Sequence, residues 1–194
     1  MISFGAKIPI AKCKIQNRKT GKFENATVYE YTCADKSDVE KIKRITSKQD
    51  WEFGFDILND ASWKNFVFET DKSWHNNHFY SIENNRRKTI GLCETVERDS
   101  IAVELLETQK DKLYRFVGQT MLAALANKAF SGFNSLIIPN ALPKALDFYK
   151  KTCGFKLKFN NDDEVVFFVD KPQLQDFIKQ TEQRTNGAII SLSV

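Results

Sequence analysis

No stretch of the chain approaches the roughly twenty consecutive apolar residues that a helix needs to cross a bilayer. The longest apolar runs, such as Ser135 to Pro139 and Val165 to Val169, are far shorter, so a transmembrane helix is excluded and no membrane partner is expected. The opening residues, Met1-Ile-Ser-Phe-Gly-Ala-Lys7, lack a basic region followed by an apolar core, so no secretory leader is expected and the location reads as cytoplasmic. Cysteine is sparse and scattered. Cys13, Cys33, Cys93 and Cys153 form no Cys-x-x-Cys pair, which argues against a zinc knuckle, a redox dithiol or a disulfide framework and leaves buried or incidental thiols. The only two histidines stand in Trp74-His-Asn-Asn-His78, with no cysteine or carboxylate repeat to complete a tetrahedral site, so they read as a polar loop and no metal is expected. Charge of one sign is not in large excess either: 29 Lys and Arg against 25 Asp and Glu leave +4, short of a strong nucleic-acid signature.

What is present suffices for a buried core. The hydrophobic fraction is 42%, with 16 phenylalanines among 194 residues, which excludes wholesale disorder. At roughly 150 residues per domain, and with no linker, low-complexity tract or repeat, residues 1–194 read as one domain.

Alternating residues in Lys7 to Ile15 and Phe23 to Tyr31, around the Gly-containing turn Arg18 to Lys22, predict a hairpin. Ser37-Asp-Val-Glu40 has the form of a capping box, and Val39, Ile42 and Ile45 follow at helical spacing, so a short helix is expected to about Thr46. Trp51 to Phe68, rich in Phe and Trp, predicts a second, irregular helical region. Three antiparallel strands are expected at His78 to Ile82, Lys88 to Val96 and Ile101 to Thr108. Leu113, Val117, Met121, Ala124, Leu125 and Ala129 recur at three- and four-residue intervals, the mark of a long amphipathic helix ending near Gly132. A strand at Ser135 to Ile138, a helix at Pro143 to Thr152, a strand at Lys156 to Val169 and a helix from Pro172 follow. The β-α-β order implies one parallel step in an otherwise antiparallel sheet.

The chemistry concentrates between Ile101 and Phe155. A strand, a short polar loop and then Tyr114-Arg-Phe-Val-Gly-Gln-Thr120 at the start of a long helix form an anion site in outline. Unpaired backbone N–H groups and the positive end of the helix dipole converge there, Gly118 permits close approach and Arg115 adds charge. Farther on stands Ala145-Leu-Asp-Phe-Tyr149-Lys-Lys-Thr-Cys-Gly154-Phe155, which resembles the Ala-x-x-x-Tyr and Gly-Phe signature of the GNAT superfamily of N-acetyltransferases. Arg115-Phe-Val-Gly118-Gln-Thr120 is similar to that family's Gln/Arg-x-x-Gly-x-Gly/Ala. The resemblance covers about residues 26–170, leaving an N-terminal hairpin at 1–25 and a C-terminal helix-strand extension at 171–194. It departs from the pattern at Phe116 and Thr120, in a loop about two residues longer from Thr108 to Tyr114, in one extra residue between Tyr149 and Gly154, and in Leu142 where the family has Asn, with Asn140 two residues before it.

The resemblance implies an α/β fold, a mixed, mostly antiparallel central sheet flanked by helices, and direct transfer of an acetyl group from acetyl-CoA to an amine, for which positioning supplies most of the rate. It gives the amides of Arg115, Phe116, Val117, Gly118, Gln119 and Thr120 to the pyrophosphate, and the strand end Leu106, Glu107 and Thr108 to the pantetheine and the thioester carbonyl. Asn140 is a further CoA contact, and Tyr149 protonates the leaving thiolate. Glu104 and Glu107, at odd spacing on one strand, should face opposite sides, and Glu104 is the candidate general base. The acceptor, a small molecule, a peptide or protein, or an aminoacyl-tRNA, is not legible, because acceptor choice lies in variable loops. The atypical loop at Phe116 and Thr120 leaves open a non-catalytic acyl-CoA-binding or interaction module on the same fold, and the basic turns at Arg86 to Lys88 and between Lys7 and Lys22 leave open a protein/RNA interaction module. The hairpin and the tail Ala188 to Val194 offer strand edges through which a homodimer can form.

Overall fold

The structure is a computed structural model and describes residues 7–31, 77–109, 113–161 and 164–192. The helices expected between Ser37 and Thr46 and between Trp51 and Phe68 lie outside the described residues.

Strands β1 (Lys7–Asn17) and β2 (Phe23–Tyr31) form the expected hairpin, paired from Lys7 opposite Tyr31 to Gln16 opposite Phe23 with one register shift between Pro9 and Ala11. β3 (Asn77–Asn84), β4 (Thr89–Glu97) and β5 (Ile101–Thr108) continue the antiparallel meander. After the two-residue strand β6 (Tyr114–Arg115), helix α1 (Val117–Gly132) crosses the sheet to β7 (Ser135–Ile138). β8 (Leu157–Asn161), β9 (Glu164–Asp170), helix α2 (Lys171–Thr185) and β10 (Ile190–Ser191) complete the described chain. The sheet runs β10-β1-β2-β3-β4-β5-β7-β9-β8. Its one parallel pairing is β5 with β7, the step that the crossover helix requires.

Helix α1 is buried along nearly its first three turns, from Val117 through Ala126, and packs on Ile15, Val28, Tyr80, Ile82, Cys93 and Val103 of the sheet. Helix α2 starts where Asp170 accepts from the Gln173 N–H, with the Gln173 side chain returning to the Asp170 N–H. This reciprocal cap satisfies two end donors, and Leu174 and Phe177 then pack into the same core.

Four local expectations are corrected. The long helix starts at Val117, not at Leu113, because Tyr114 and Arg115 pair instead with Asn17 and Gln16 of β1. The strand expected over Lys156 to Val169 is two strands, β8 and β9, paired antiparallel. The Pro143 to Thr152 helix is not uniform: a 3-10 turn at Pro143–Ala145 leads into a π-helix at Phe148–Thr152, closed by the Cys153 N–H on the Phe148 carbonyl at 3.0 Å. A π turn holds one more residue than an α turn, and this is where the extra residue between Tyr149 and Gly154 is absorbed. Finally, His78, expected both as the first residue of a strand and as the end of a polar loop, lies inside β3, so the loop reading does not hold for it. Its Nδ1 lies 2.5 Å from Glu30, in a network where the Lys128 ammonium of α1 also meets Glu30, Glu97 and the Tyr80 hydroxyl.

Candidate active site

β5 and β7 share only two registered pairs, Ile101 with Leu136 and Ala102 with Ile137, and pairing stops there. On the other side, β4 stays in register with β5 except at one place: Thr95 lies opposite Val103 and Glu94 opposite Leu105, so Glu104 has no partner. Such a bulge bends its strand and increases the local twist, and it sits where β5 parts from β7. It also resets the alternation. Ile101 and Val103 belong to the core beneath α1, and beyond the bulge it is Leu106 and Thr108 that face α1, reaching within 4 Å of a Cβ built on Gly118. The simple parity argument applied to Glu104 and Glu107 therefore does not hold across Glu104. Glu107 is buried on the face away from α1, while Glu104 is exposed, and partial burial pushes its carboxyl above the usual range.

The gap opens into a cavity of about 660 Å³ at the start of α1. Its wall comes from β5 (Leu106, Thr108), from Arg115 through Gln119, and from the turn of Lys144, Ala145, Phe148, Tyr149 and Thr152, with Arg18 and Tyr114 completing it. Phe116, at the N-cap, has φ 68° and ψ 5°, a left-handed conformation that is costly for a residue with a Cβ. Followed by helical Val117, it turns successive N–H groups toward one side, the backbone geometry of an anion-binding nest. The first helical bond runs from the Thr120 N–H to the Phe116 carbonyl at 2.7 Å, so the amides of Val117, Gly118 and Gln119 have no helical acceptor. The Gln119 side chain is buried. Its amide nitrogen donates to Thr181 of α2 at 3.2 Å, while its Oε1 has no partner among the described residues.

Tyr149 is held at the opposite wall by three rings, Phe148 at 5.2 Å, Phe167 at 5.3 Å and Phe155 at 6.4 Å between centroids. It is 7% exposed, and its hydroxyl makes no hydrogen bond among the described residues. Burial, followed by the neighbouring thiols of Cys93 and Cys153, pushes its phenol above the ordinary value, so it carries its proton throughout the neutral range.

Of the residues singled out in the sequence, the structure brings Leu106, Thr108, Arg115, Phe116, Val117, Gly118, Gln119 and Tyr149 to one cavity. Glu104, Glu107, Thr120 and Asn140 do not line it. Thr120 is buried, with its hydroxyl 3.4 Å from the Lys14 carbonyl, and Asn140 is exposed in a left-handed conformation after β7. Arg18, Lys144, Phe148 and Thr152 line the cavity without having been singled out for it. Among the described residues no group of His, Cys, Asp and Glu is arranged to hold a metal, and no helix is long and apolar enough to cross a membrane. Cys13, Cys93 and Cys153 are free and buried.

No protein-family model matches the chain, and no curated protein sequence does. Solved structures do. An AtaT mutant toxin bound to the C-terminus of the antitoxin AtaR and acetyl-CoA aligns at TM-score 0.53 with 17% identity, over 77% of this chain and 96% of that one. AtaTR bound with acetyl-CoA aligns at 0.54 and 16%, over 77% and 96% of the two chains. A mutant of the spermidine N-acetyltransferase SpeG from Vibrio cholerae aligns at 0.53 and 15%, again over 77% and 96%. At these identities the likeness is one of fold, and the chain has the fold of the GNAT N-acetyltransferases.

Proposed function

We propose that the protein transfers the acetyl group of acetyl-CoA to an amine. The observation that carries this reading is one cavity that has unpaired helix-start amides on one wall and a protonated, ring-held phenol on the other. The amides of Phe116 to Gln119 hold the diphosphate, with Arg115 adding charge. The pantetheine runs along β5 from Thr108 toward Leu106, taking up backbone groups that β7 leaves unpaired beyond Ala102. An amide there polarises the thioester carbonyl. The acceptor amine attacks that carbonyl directly, so no cysteine nucleophile is needed, in keeping with thiols that burial pushes above their usual pKa. The electron pair released from the carbon-sulfur bond goes to sulfur, and the Tyr149 hydroxyl donates to it. Glu104, at the bulge where the gap begins, accepts the amine proton through solvent, and its raised pKa makes it a stronger base. Support for an amine acceptor comes from the fold relative that acts on spermidine.

The test is a thermal-shift titration with acetyl-CoA, CoA and a short RNA. A ligand at a hundred times its Kd stabilises the folded state by about 2.7 kcal/mol, so acetyl-CoA and CoA should both raise Tm in a saturable way. A rise with RNA alone, or with none of the three, overturns the reading.

A further inference from the structure

Two arginines, Arg18 and Arg115, come to the cavity from separate elements, and among the described residues no carboxylate lines it. Arg115 sits directly before the helix start, where the diphosphate is placed. Arg18 arrives by another route. It follows β1 in the turn of the N-terminal hairpin, and that turn is stitched to the phosphate loop: Gln16 pairs with Arg115, Asn17 with Tyr114, and the Arg18 N–H donates to the Leu113 carbonyl at 2.9 Å. Arg18 thus stands two residues along the same ladder from Arg115, with its backbone fixed and its side chain exposed. Neither guanidinium has a side-chain partner among the described residues. Two like charges brought to one wall by backbone pairing repel one another unless an anion lies between or beside them.

We infer that Arg18 is a specificity-determining residue that binds the 3′-phosphate monoester of CoA, so that the hairpin reads the nucleotide end of the cosubstrate. The inference rests on the acetyl-CoA reading above and goes beyond it in assigning this phosphate to a residue outside the stretch that resembles the family. A monoester phosphate carries close to two charges at neutral pH and three acceptor oxygens, which suits the planar fork of a guanidinium better than a point charge.

Calorimetry with CoA and with dephospho-CoA, on wild type and on Arg18→Ala, tests it. Wild type should prefer CoA by about tenfold, the scale of one charge-assisted contact at a partly open site. Arg18→Ala should weaken CoA by a similar factor, leave dephospho-CoA unchanged, and reduce the preference to within about twofold. The wild-type comparison needs no variant, and Arg18→Ala keeps the N–H bond to Leu113. Equal wild-type affinity for the two ligands overturns the assignment, as does a preference that survives in Arg18→Ala. Failure of wild type to bind either ligand overturns the acetyl-CoA reading itself and this inference with it.

Discussion

Replacing Tyr149 with Phe separates the chemistry of this site from its architecture. The ring makes the contacts that hold it, with centroids of Phe148, Phe167 and Phe155 between 5.2 and 6.4 Å away, and Phe keeps all of them. The hydroxyl has no hydrogen-bond partner among the described residues, so deleting it removes no bond to them. Stability should therefore stay within about 0.5 kcal/mol of wild type or rise slightly. Acetyl-CoA affinity should stay within about threefold, since the proposed phosphate site is the start of α1 and not Tyr149. Turnover should fall by about 10²-fold, equivalent to roughly 2.7 kcal/mol of transition-state stabilisation, the usual scale for a lost proton donor. Because burial holds the phenol pKa above 10, the wild-type rate should show no loss assignable to Tyr149 as pH rises from 6 to 9, and a rise over that range reports the acceptor amine losing its proton. The assay is release of free thiol from acetyl-CoA with a panel of polyamines, peptides and aminoacyl-tRNA. Turnover in Tyr149→Phe equal to wild type refutes the catalytic assignment. Thiol release at background in both proteins with every acceptor is what a non-catalytic acyl-CoA-binding module gives.

Two further outcomes follow from neighbouring parts of the fold. A Cβ on Gly118 would meet Phe148, Thr108 and Leu106 at 3.4 to 3.7 Å, ordinary contact, so Gly118→Ala should fold with unchanged or slightly higher Tm yet bind CoA at least about tenfold more weakly; unchanged affinity by calorimetry would remove the diphosphate from this helix start. Gly91→Ala is the contrast, since its Cβ would fall 2.8 and 2.9 Å from the stiff side chains of Ile82 and Val117 and should cost about 1–3 kcal/mol in denaturant unfolding. Burial alone would raise the Glu30 pKa, but the His78 hydrogen bond and the Lys128 charge outweigh it and leave the folded value below the ordinary 4.5. The folded state thus resists protonation of Glu30, its stabilisation is complete above about pH 4.5 and drains away as pH falls through the lower folded value, and the stability gap between wild type and Glu30→Gln should shrink over that acid range; a gap independent of pH would refute the linkage.

Local pattern carried most of the element order into view, because hairpin alternation, helical periodicity and turn residues act over a few neighbours. The Phe116 to Gln119 segment and Tyr149 were legible as motifs for the same reason: each is a short pattern read from its immediate neighbours. Arg18 was not, since only pairing of β6 with β1, nearly a hundred positions apart, brings it to the cavity. That pairing also took Tyr114 and Arg115 out of the helix that their neighbours' periodicity predicted. The loop reading of His78 failed for a related reason, its partners Glu30 and Glu97 being supplied by two other strands. The π-helix left a local trace, one residue too many after Tyr149, but nothing local says whether a loop or a helix absorbs the surplus.

The unpaired Glu104 separates ladder pairing from strand shape. Val103 and Leu105 face successive residues of β4, Thr95 and Glu94, so the two stretches of β5 on either side would form an unbroken ladder if Glu104 were absent, with Leu106 and Thr108 still toward α1 and Glu107 still away from it. Glu104 is therefore supernumerary to the ladder with β4, at the point where β5 parts from β7. Deleting that one residue would leave the register of β5 with β4 continuous and remove the bend and extra twist that a bulge brings to its strand.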